Sequence, residues 1–465
     1  MPRLVVVSNR VADPRKPAAG GLAVALGDAL QAAGGLWFGW SGHITEEGAD
    51  PRVQLHQAGP VTLATVDLSR EDHDGYYLGY SNGVIWPVFH DRLDLADFDA
   101  GFVGAYRRVN QLFARQLLPL LRPDDLIWVH DYHLIPLAFE LRALGCTQRI
   151  GFFLHIPMPP PLLLAAIPQA EWLVRCLCAY NLVGLQSLSD LMHFGRYIVA
   201  EVGAQPLGGQ RWQAFGRSVE AGSFPIGIDV DDFAALTHAP EAREMHERMR
   251  REYAGRHVLL GVERLDYSKG LPQRIKAFAK LLRNHPENIR HTTLIQIVSP
   301  SREALDTYAG LRRQLESLCG AVNGDFGELD WTPVRYIHRN VARRRLPGLY
   351  RLARVALVTP LRDGMNLVAK EFIAAQDPAD PGVLVLSRFA GAAEQLKEAL
   401  LVNPYDTDGT SETIEQALRM PLHERQRRHQ RLLERIREQD VHWWRRSFLQ
   451  ALAATPADDA APSRS

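Results

Sequence analysis

Short runs of aliphatic residues recur along the chain, and each is followed by a polar loop and then by apolar residues at helical spacing. The clearest example is Val355–Gln376, in which VALVT precedes the loop PLRDGMN and the helical pattern LVAKEFIAAQ. Short continuous apolar runs are typical of strands that are buried on both faces, as in parallel sheets. The pattern therefore predicts an α/β protein built from strand–loop–helix units.

The apolar runs form two series. The first begins with LVVVS at residues 4–8, and we expect SFPIGIDV at residues 223–230 to be its last strand. The second begins with the strand of HVLLGVERLDYSKG at residues 257–270 and continues to the strand within LVNPYDTDG. The charged run HAPEAREMHERMRREY lies between the two series and is typical of a solvated helix at a domain junction.

The length of 465 residues exceeds what one hydrophobic core usually serves. We therefore expect two domains, residues 1–230 and residues 231–450. The last predicted helix contains Trp443 and Trp444, which need a surface to bury against, and we expect it to pack back on the N-terminal domain. The small, polar segment at residues 455–465 predicts a disordered tail.

Composition excludes several classes of function. Lys plus Arg equals Asp plus Glu at 53 each, so no overall field favours nucleic acid or an anionic membrane. No apolar run reaches the length of a membrane span, and the apolar core of MPRLVVVSNR is too short for a signal peptide, so we expect a soluble cytoplasmic protein. The cysteines form no CxxC pair and no His-rich metal spacing, which predicts buried free thiols and no metal site. They are Cys146, Cys176, Cys178 and Cys319.

The loop and helix of Val355–Gln376 suit an anionic ligand. A helix that begins beside Asn366 directs unpaired N–H groups and the positive end of its dipole into the loop, as a diphosphate requires. Glu371, about one turn into the helix, is placed to accept hydrogen bonds from ribose hydroxyls, and Asp363 in the loop from a sugar. The alternative is an ordinary loop with a capping Asn and a solvated Glu.

A second loop of the C-terminal half carries two cations. In VERLDYSKG, Arg264 and Lys269 follow a predicted strand and precede a helix that begins near Leu271. Two cations directed at two helix N-termini hold a diphosphate without a metal. The alternative is a surface loop of salt bridges. No GxGxxG follows any strand, which weakens the interpretation as a dinucleotide-dependent dehydrogenase.

In the N-terminal half, polar residues follow buried strands. LIWVH leads to Asp131 and IGFFLHIP contains His155, at the carboxyl ends of strands where open α/β sheets bind ligands. A single histidine at a strand end is more often a structural hydrogen-bonder, but two polar strand ends favour a site. Gly20 and Gly21 precede a predicted helix and permit close approach of a ligand, although a tight turn explains them equally.

The chain between Gly35 and Asp91 is rich in aromatic residues and turns, and such runs are often β-hairpins with one packed face. Its rings with polar tips also suit stacking on a sugar. The candidates are Tyr76, Tyr77, Trp86 and His90.

Taken together, the motifs resemble a known enzyme family. VVVSNR, GGLAVAL, GGLWFGWSG, WPVFH, WVHDYHL, IGFFLHIP, PIGID, VERLDYSKG, TPLRDGMNLVAKE and PGVLVLSRFAGAA are similar to segments of the bacterial α,α-trehalose-phosphate synthases of glycosyltransferase family 20. The resemblance covers roughly residues 3–450. It implies the GT-B fold, in which two Rossmann-like domains face each other across a cleft.

The resemblance also implies an activity. Members transfer glucose, with retention, from UDP-glucose or another nucleotide diphosphate glucose to glucose 6-phosphate and form α,α-trehalose 6-phosphate. It implies no cofactor, no metal and a homo-oligomer, either dimer or tetramer. The alternatives are a GT-B enzyme that uses GDP- or ADP-glucose or another phosphorylated acceptor, and a non-catalytic sugar-phosphate sensor.

The resemblance assigns roles to particular residues. The implied catalytic residues are His155, Asp131, Arg264, Lys269 and Asp363. The implied glucose 6-phosphate site comprises Arg10, Tyr77, Trp86, Asp131 and Arg302. The implied donor site comprises Gly20, Gly21, Arg264, Lys269, Val341, Asp363, Leu367, Val368, Ala369, Lys370 and Glu371. Met158 and Val341 depart from residues common in the family, which leaves the nucleotide open.

Overall fold

The computed structural model describes residues 2–12, 26–27, 30, 34–46, 52–302 and 305–456. The chain divides into two compact units. The first unit runs to Pro225 and resumes at Trp444, and the second extends from Ile226 to Trp443.

In the described residues, the first unit contains a ten-stranded sheet with the order β3-β4-β2-β1-β5-β6-β7-β10-β9-β8. The strands from β4 to β10 in this order are parallel, and β3, β9 and β8 pair antiparallel at the two ends. The strands are β1 (Leu4–Arg10), β2 (Gly35–Thr45), β3 (Gln54–Ala58), β4 (Val61–Ser69), β5 (Leu126–His130), β6 (Arg149–Phe153), β7 (Leu182–Leu185), β8 (Gln205–Gly208), β9 (Arg211–Ala214) and β10 (Arg217–Ser223).

Two of the longer helices of this unit begin at residues whose side chains cap them. Asp99 accepts a hydrogen bond from Gly101 N, and Ser187 accepts one from Asp190 N. The helices are Arg70–Asp72, the π-helical His73–Ile85, Trp86–Phe89, Ala100–Leu117, Leu137–Ala143, Ala170–Leu177 and Leu188–Ala200, with a short turn at Pro161–Leu164 and 3₁₀ turns at Leu93–Leu95, Leu118–Leu120 and Tyr132–Leu134.

One expectation for this unit is wrong and another is only partly right. The last strand is β10, not residues 223–230, because Pro225 lacks an N–H for a sheet and Asp229 caps the following helix. In the aromatic run between Gly35 and Asp91, β3 and β4 form a hairpin, whereas its second half forms the π-helix His73–Ile85, in which Trp86 N donates to Ser81 O. The π-helix packs on the helix Ala100–Leu117. This tertiary packing outweighs the preference of its aromatic residues for strands.

The second unit contains a parallel sheet with the order β13-β12-β11-β14-β15-β16. The four central strands are buried on both faces, as the apolar runs predict; Leu259, Leu294, Val355 and Val385 are fully buried in the core. The strands are β11 (His257–Arg264), β12 (Thr292–Ser299), β13 (Val334–Ile337), β14 (Val355–Val358), β15 (Val383–Ser387) and β16 (Leu400–Val402).

Helices alternate with these strands. The segment after β15 forms the 3₁₀ turn Gly391–Glu394. The helices are Val230–Leu236, Pro240–Glu252, Leu271–Asn284, Asp306–Phe326, Leu346–Leu352, Leu367–Ala375, Thr407–Arg419 and Leu422–Glu438, with 3₁₀ turns at Tyr267–Lys269 and Pro286–Asn288, and Val441–Ala454 contains the second unit boundary. None of the described helices is both long enough and apolar enough to cross a bilayer.

The two sheets share one strand order. Numbered along the chain, β11 to β16 follow the doubly wound order 3-2-1-4-5-6, and β1, β2, β4, β5, β6 and β7 follow it in the first unit. Ligands of such sheets bind where the order reverses, outside the carboxyl ends of the two central strands. These switch points lie between β1 and β5 and between β11 and β14.

Candidate functional site

At the switch point of the second unit, the loops after β11 and β14 contact each other. Leu361 N donates to Ser268 O over 2.7 Å. Gly270 has φ +63°, and a Cβ there would lie 2.2 Å from Thr359 O, so only glycine permits this approach. The contact brings together two loops that lie 94 positions apart in the sequence, as counted from Lys269 to Asp363.

An ion pair joins the two loops. Lys269 Nζ lies 2.6 Å from Asp363 Oδ2, and both side chains are largely buried. The same oxygen accepts a hydrogen bond from Asn366 Nδ2 over 3.0 Å. Asn366, at φ +88°, caps the helix Leu367–Ala375 by accepting from Ala369 N over 3.2 Å. A cation, a helix N-terminus and a carboxylate thus meet in one place, as the sequence predicted.

The predicted donor-site residues on the helix Leu367–Ala375 differ in how deeply they are buried. Leu367 and Val368 are half-buried in its first turn, whereas Ala369 is fully buried. Glu371 accepts a hydrogen bond from Tyr350 OH over 3.1 Å, and burial raises the pKa of its carboxyl to about 7. Its own half-buried side chain is therefore only partly ionised at neutral pH.

Lys370 is directed into the interior. Its ammonium donates to Ile226 O over 2.7 Å and to Gln395 Oε1 over 2.8 Å, and burial lowers its pKa to about 7. The structure thus gives the Lys370 side chain two protein partners.

Two arginines and a valine complete the predicted set in this unit. Arg264 is exposed at the end of β11. Arg302, after β12, lies 3.5 Å from Asp266 Oδ2 and donates to Tyr308 OH over 2.9 Å. Val341 is half-buried in the loop between β13 and the helix Leu346–Leu352.

A buried arginine beneath these loops was missed by sequence reasoning. Arg274 donates to Glu263 Oε1 over 3.1 Å, to Thr359 Oγ1 over 3.0 Å and to Gln296 Oε1 over 3.1 Å. These partners belong to β11 and β12 and to the residue after β14, so one guanidinium connects three strands. The available signal was its position three residues after Leu271, on the buried face of a helix.

In the first unit, aromatic rings surround the end of β1. The guanidinium carbon of Arg10 lies 5.8 Å from the Trp40 ring centroid, and the Tyr77 ring lies 6.2 Å from the same ring. Tyr77 is also stacked on His133 at 5.8 Å with an interplanar angle of 11°. Trp40 and His133 were not predicted, although both lie within motifs that the sequence singled out. The structure brings Arg10 and Tyr77 together through Trp40.

Trp86 belongs to a more buried layer. Its ring lies 4.1 Å from His90 and 5.6 Å from Tyr132, between centroids. Two of the other candidate rings are structural, because His90 Nδ1 donates to Trp86 O over 2.7 Å and the hydroxyl of fully buried Tyr76 donates to Asn9 Oδ1 over 2.8 Å.

Asp131 and His155 are joined at the ends of β5 and β6. Asp131 Oδ1 accepts hydrogen bonds from Tyr132 N over 3.1 Å and from His155 N over 3.2 Å. Asp131 itself has φ +76°, a conformation that costs a non-glycine residue energy and is found most often at functional sites.

The His155 ring is held by two buried partners that the sequence did not indicate. Its Nε2 lies 3.1 Å from His130 Nδ1, and its Nδ1 lies 3.4 Å from Gln186 Nε2. Because the Gln186 amide nitrogen is a donor, His155 Nδ1 accepts and His155 Nε2 carries the proton toward His130. Burial lowers the pKa of His155 to about 3 and holds the pKa of His130 well below its usual value, so both rings are neutral.

Two further predictions concern the remaining site residues. Gly20 and Gly21 lie outside the described residues. In the described ranges, the close cluster of metal-ligand side chains is His285, Glu287 and Glu415, which follows the C-terminal end of the helix Leu271–Asn284. The loops discussed above lie at the other end of this helix, about 20 Å away.

Residues 7–454 match the family model for Glycosyltransferase family 20. The chain belongs to this family. The resemblance predicted from the motifs is therefore confirmed, and so is the GT-B fold class with its two Rossmann-like units.

Curated relatives match this family member over nearly its whole length. A trehalose-6-phosphate synthase of Sinorhizobium fredii is 49% identical over 460 residues, which cover 98% of this chain and 99% of the relative. One of Enterobacter sp. (strain 638) is 47% identical over 457 residues, which cover 98% and 96%.

Solved structures of two such enzymes are similar to this chain over nearly its whole length. An α,α-trehalose-phosphate synthase (UDP-forming) from Burkholderia xenovorans, in complex with glucose-6-phosphate, has a TM-score of 0.94 and 49% identity, with 97% of this chain and 100% of that chain covered. An E. coli structure described as bound with UDP-2-fluoro glucose has a TM-score of 0.94 and 44% identity, with 98% and 100% covered.

Proposed function

We propose that this family 20 glycosyltransferase moves glucose from UDP-glucose to the C1 hydroxyl of glucose 6-phosphate and releases UDP and α,α-trehalose 6-phosphate. The observation that carries the proposal is the full-length similarity, at 49% identity, to an enzyme of that name in complex with glucose-6-phosphate. The similarity to a structure bound with UDP-2-fluoro glucose supports the nucleotide.

The loops of the second unit are proposed to bind the donor. Arg264, Lys269 and the N-terminus of the helix Leu367–Ala375 offer positive charge where a leaving diphosphate gains negative charge. Lys269 is paired with Asp363 at 2.6 Å, so the phosphates would share this cation with the carboxylate. Glu371 is proposed to accept hydrogen bonds from the ribose hydroxyls. Val341 is proposed to lie near the base.

The first unit is proposed to bind the acceptor. Arg10 supplies an exposed guanidinium suited to phosphate oxygens, and Tyr77 and Trp86 supply aromatic surface for the sugar. Asp131 supplies a carboxylate for a sugar hydroxyl. The resemblance adds Arg302, a residue of the second unit, as a second proposed phosphate ligand.

The proposed reaction retains configuration without a covalent intermediate. The three candidate carboxylates already accept hydrogen bonds: Asp131 from backbone N–H groups, Asp363 from Lys269 and Glu371 from Tyr350. We propose that the acceptor C1 hydroxyl attacks on the face that the diphosphate leaves. The glycosidic bond forms as the bond from glucose C1 to phosphate oxygen breaks, and the hydroxyl proton passes to a phosphate oxygen of the leaving UDP.

His155 is proposed to stabilise the positive charge that develops on the donor sugar. Both ring nitrogens already have partners in His130 and Gln186, so the backbone carbonyl is the part of the residue proposed to act. Replacement of His155 by Ala removes the ring contacts that hold this carbonyl in place, so it should reduce the rate and leave the product anomer unchanged.

The test is a product assay with glucose 6-phosphate and UDP-, GDP- or ADP-glucose in turn, with the product identified by NMR. α,α-Trehalose 6-phosphate from UDP-glucose, with EDTA present, supports the proposal. Another preferred nucleotide changes the donor assignment, and the absence of product with every donor supports a sensor. A glucosyl adduct on Asp131, Asp363 or Glu371 after incubation with a slow fluorinated donor would overturn the proposal that the acceptor attacks on the face that the diphosphate leaves. Sedimentation analysis tests the proposed dimer or tetramer.

A further inference from the structure

Lys370 is a buried cation whose described partners are both neutral. The residue is 1% exposed, and its ammonium donates to a backbone carbonyl and to a side-chain amide. A buried ammonium that is not balanced by a carboxylate costs free energy, which burial expresses here as a lowered pKa. Such a residue needs an explanation beyond filling a core position, which methionine would do at lower cost.

Both partners lead to the ends of the second unit. Ile226, whose carbonyl accepts from Lys370, is the first residue of that unit. Gln395, the other acceptor, donates through its own amide to Gln439 Oε1, and Gln439 lies four residues before Trp443, the last residue of the unit. Lys370 therefore contacts the place where the chain enters this unit directly, and it is linked through Gln395 to the place where the chain leaves it.

These two places form one packed pair of segments, which we call the boundary segments: Ile226–Asp229 and Gln439–His442. Val441 N donates to Ile228 O over 3.2 Å, and His442 Nε2 lies 3.0 Å from Asp229 Oδ2. A Cβ on Gly227 would lie 2.4 Å from the carbonyl carbon of Asp440, so the two backbones touch. A displacement of either segment must therefore be accommodated by the other.

Lys370 also lies on the helix that begins at the proposed phosphate site. Asn366 caps this helix and donates to Asp363, which is paired with Lys269. Binding of a diphosphate redistributes these charges at the helix N-terminus. Lys370 is one turn further along and shares any shift of the helix.

We propose that Lys370 is a positioning residue that couples occupation of the donor site to the two boundary segments. The coupling passes from the helix N-terminus through the Lys370 ammonium to Ile226 directly and to Gln439 through Gln395. The inference rests on the donor site of the proposed function. It assigns to Lys370 a role in conformational coupling in place of contact with the nucleotide.

Hydrogen exchange followed by mass spectrometry tests the coupling in the full-length protein, with and without saturating UDP. In the wild type, UDP should slow exchange on the order of tenfold in peptides that cover residues 224–232 and 436–446. Lys370→Met should abolish this response in both peptides and retain protection of residues 361–371 at saturating UDP. The matched control is Lys397→Met, an exposed lysine of the same unit, which should behave as the wild type.

Gln439→Ala distinguishes the direct route to Ile226 from the route through Gln395 to Gln439. It also tests the coupling if Lys370→Met does not fold. It should abolish the UDP response of residues 436–446 and preserve that of residues 224–232. A structural role alone would raise exchange with and without UDP and leave the UDP-dependent difference intact in Lys370→Met and in Gln439→Ala, which would overturn the proposal.

Calorimetric titration with UDP distinguishes this failure from that of the proposed function. If the wild type binds UDP and its boundary segments do not respond, the coupling is wrong and the donor site stands. If the wild type does not bind UDP, the donor assignment fails, and the coupling fails with it.

Discussion

The two units share a strand order, but different kinds of side chain lie at their switch points. In the first unit, the ends of β1, β5 and β6 carry stacked rings and two neutral, buried imidazoles, with Asp131 held by backbone N–H groups. In the second, the ends of β11 and β14 carry an ion pair beside a helix N-terminus. One backbone topology thus supports two kinds of site, because the loops, not the sheet, determine the chemistry.

The difference corresponds to what each unit is proposed to bind. A diphosphate leaving group gains charge during the reaction, and fixed cations stabilise that change. A sugar ring remains neutral, and its recognition relies on shape, stacking and hydroxyl acceptors. We therefore expect charge substitutions to be most harmful in the second unit and changes of ring geometry to be specific to the acceptor in the first.

The largest effect is expected from loss of the donor cations. Lys269→Ala should lower kcat/KM by about 10² or more, because it removes charge stabilisation of the leaving diphosphate and leaves Asp363 without its 2.6 Å partner. Arg264→Ala should act in the same direction. Steady-state kinetics measures both, with Lys276→Ala, an exposed lysine on the next helix, as the control. Near-normal turnover in both variants would remove the diphosphate from these loops.

Loss of the acceptor guanidinium should have a smaller and selective effect. Arg10→Ala should raise the KM for glucose 6-phosphate about tenfold, since a hydrogen bond to a charged group contributes about 1.5–3 kcal/mol, and leave the donor KM unchanged. Arg92→Ala, an arginine of the same unit paired with Asp94, is the control. Free glucose that reacts as well as glucose 6-phosphate would show that Arg10 does not read a phosphate.

Glu371→Gln should change both the binding of the donor and the pH dependence of stability. The donor KM should rise several-fold, because an amide accepts hydrogen bonds from two hydroxyls less well than a carboxylate. Burial raises the pKa of Glu371 to about 7, so the folded protein binds a proton that the unfolded chain releases near its ordinary pKa. The stability associated with the protonated form is therefore lost as pH rises from the unfolded pKa through about 7.

The Gln variant lacks this loss. Its Tm should exceed that of the wild type by roughly 2 °C or more at pH 8 and by less at pH 5. Calorimetric scans at both pH values give the comparison, with Glu247→Gln as an exposed control. An unchanged donor KM would contradict the ribose contact, and an equal Tm difference at the two pH values would contradict the buried-carboxyl interpretation.

The histidine pair should affect the pH dependence of stability. Burial lowers the folded-state pKa of both His130 and His155, so the stability from their neutral forms is fully present above about pH 6.5 and is lost as pH falls through the unfolded pKa toward the folded one. His130→Gln should reduce the fall in Tm between pH 7 and pH 5 by about 2–4 °C. The exposed His423→Gln should retain the wild-type fall, and the same fall in His130→Gln would show that the pair is not held neutral.

Much of the fold was predictable because strand–loop–helix units are local. The apolar runs at β1, β5, β11 and β14 identified strands, and the polar residues after them therefore lay at carboxyl ends. The strand SFPIGIDV was predicted wrongly because its apolar residues line an irregular segment beside Gln439–His442, a long-range contact. The strand β10 was missed because its alternation of buried and half-exposed residues includes few aliphatic side chains.

The candidate site divides in the same way. The sequence by itself determined which residues follow strands, and hence that Asp131, Lys269 and Asp363 lie at the carboxyl ends of strands, where open α/β sheets bind ligands. Only the tertiary structure decided which loops meet, because strand order is a property of the whole sheet: the Lys269–Asp363 pair, the His130–His155 pair and the Lys370 contact with Ile226 all join positions at least 25 residues apart. Periodicity places a side chain on a face of its own element, whereas its partner and its pKa depend on burial by other elements.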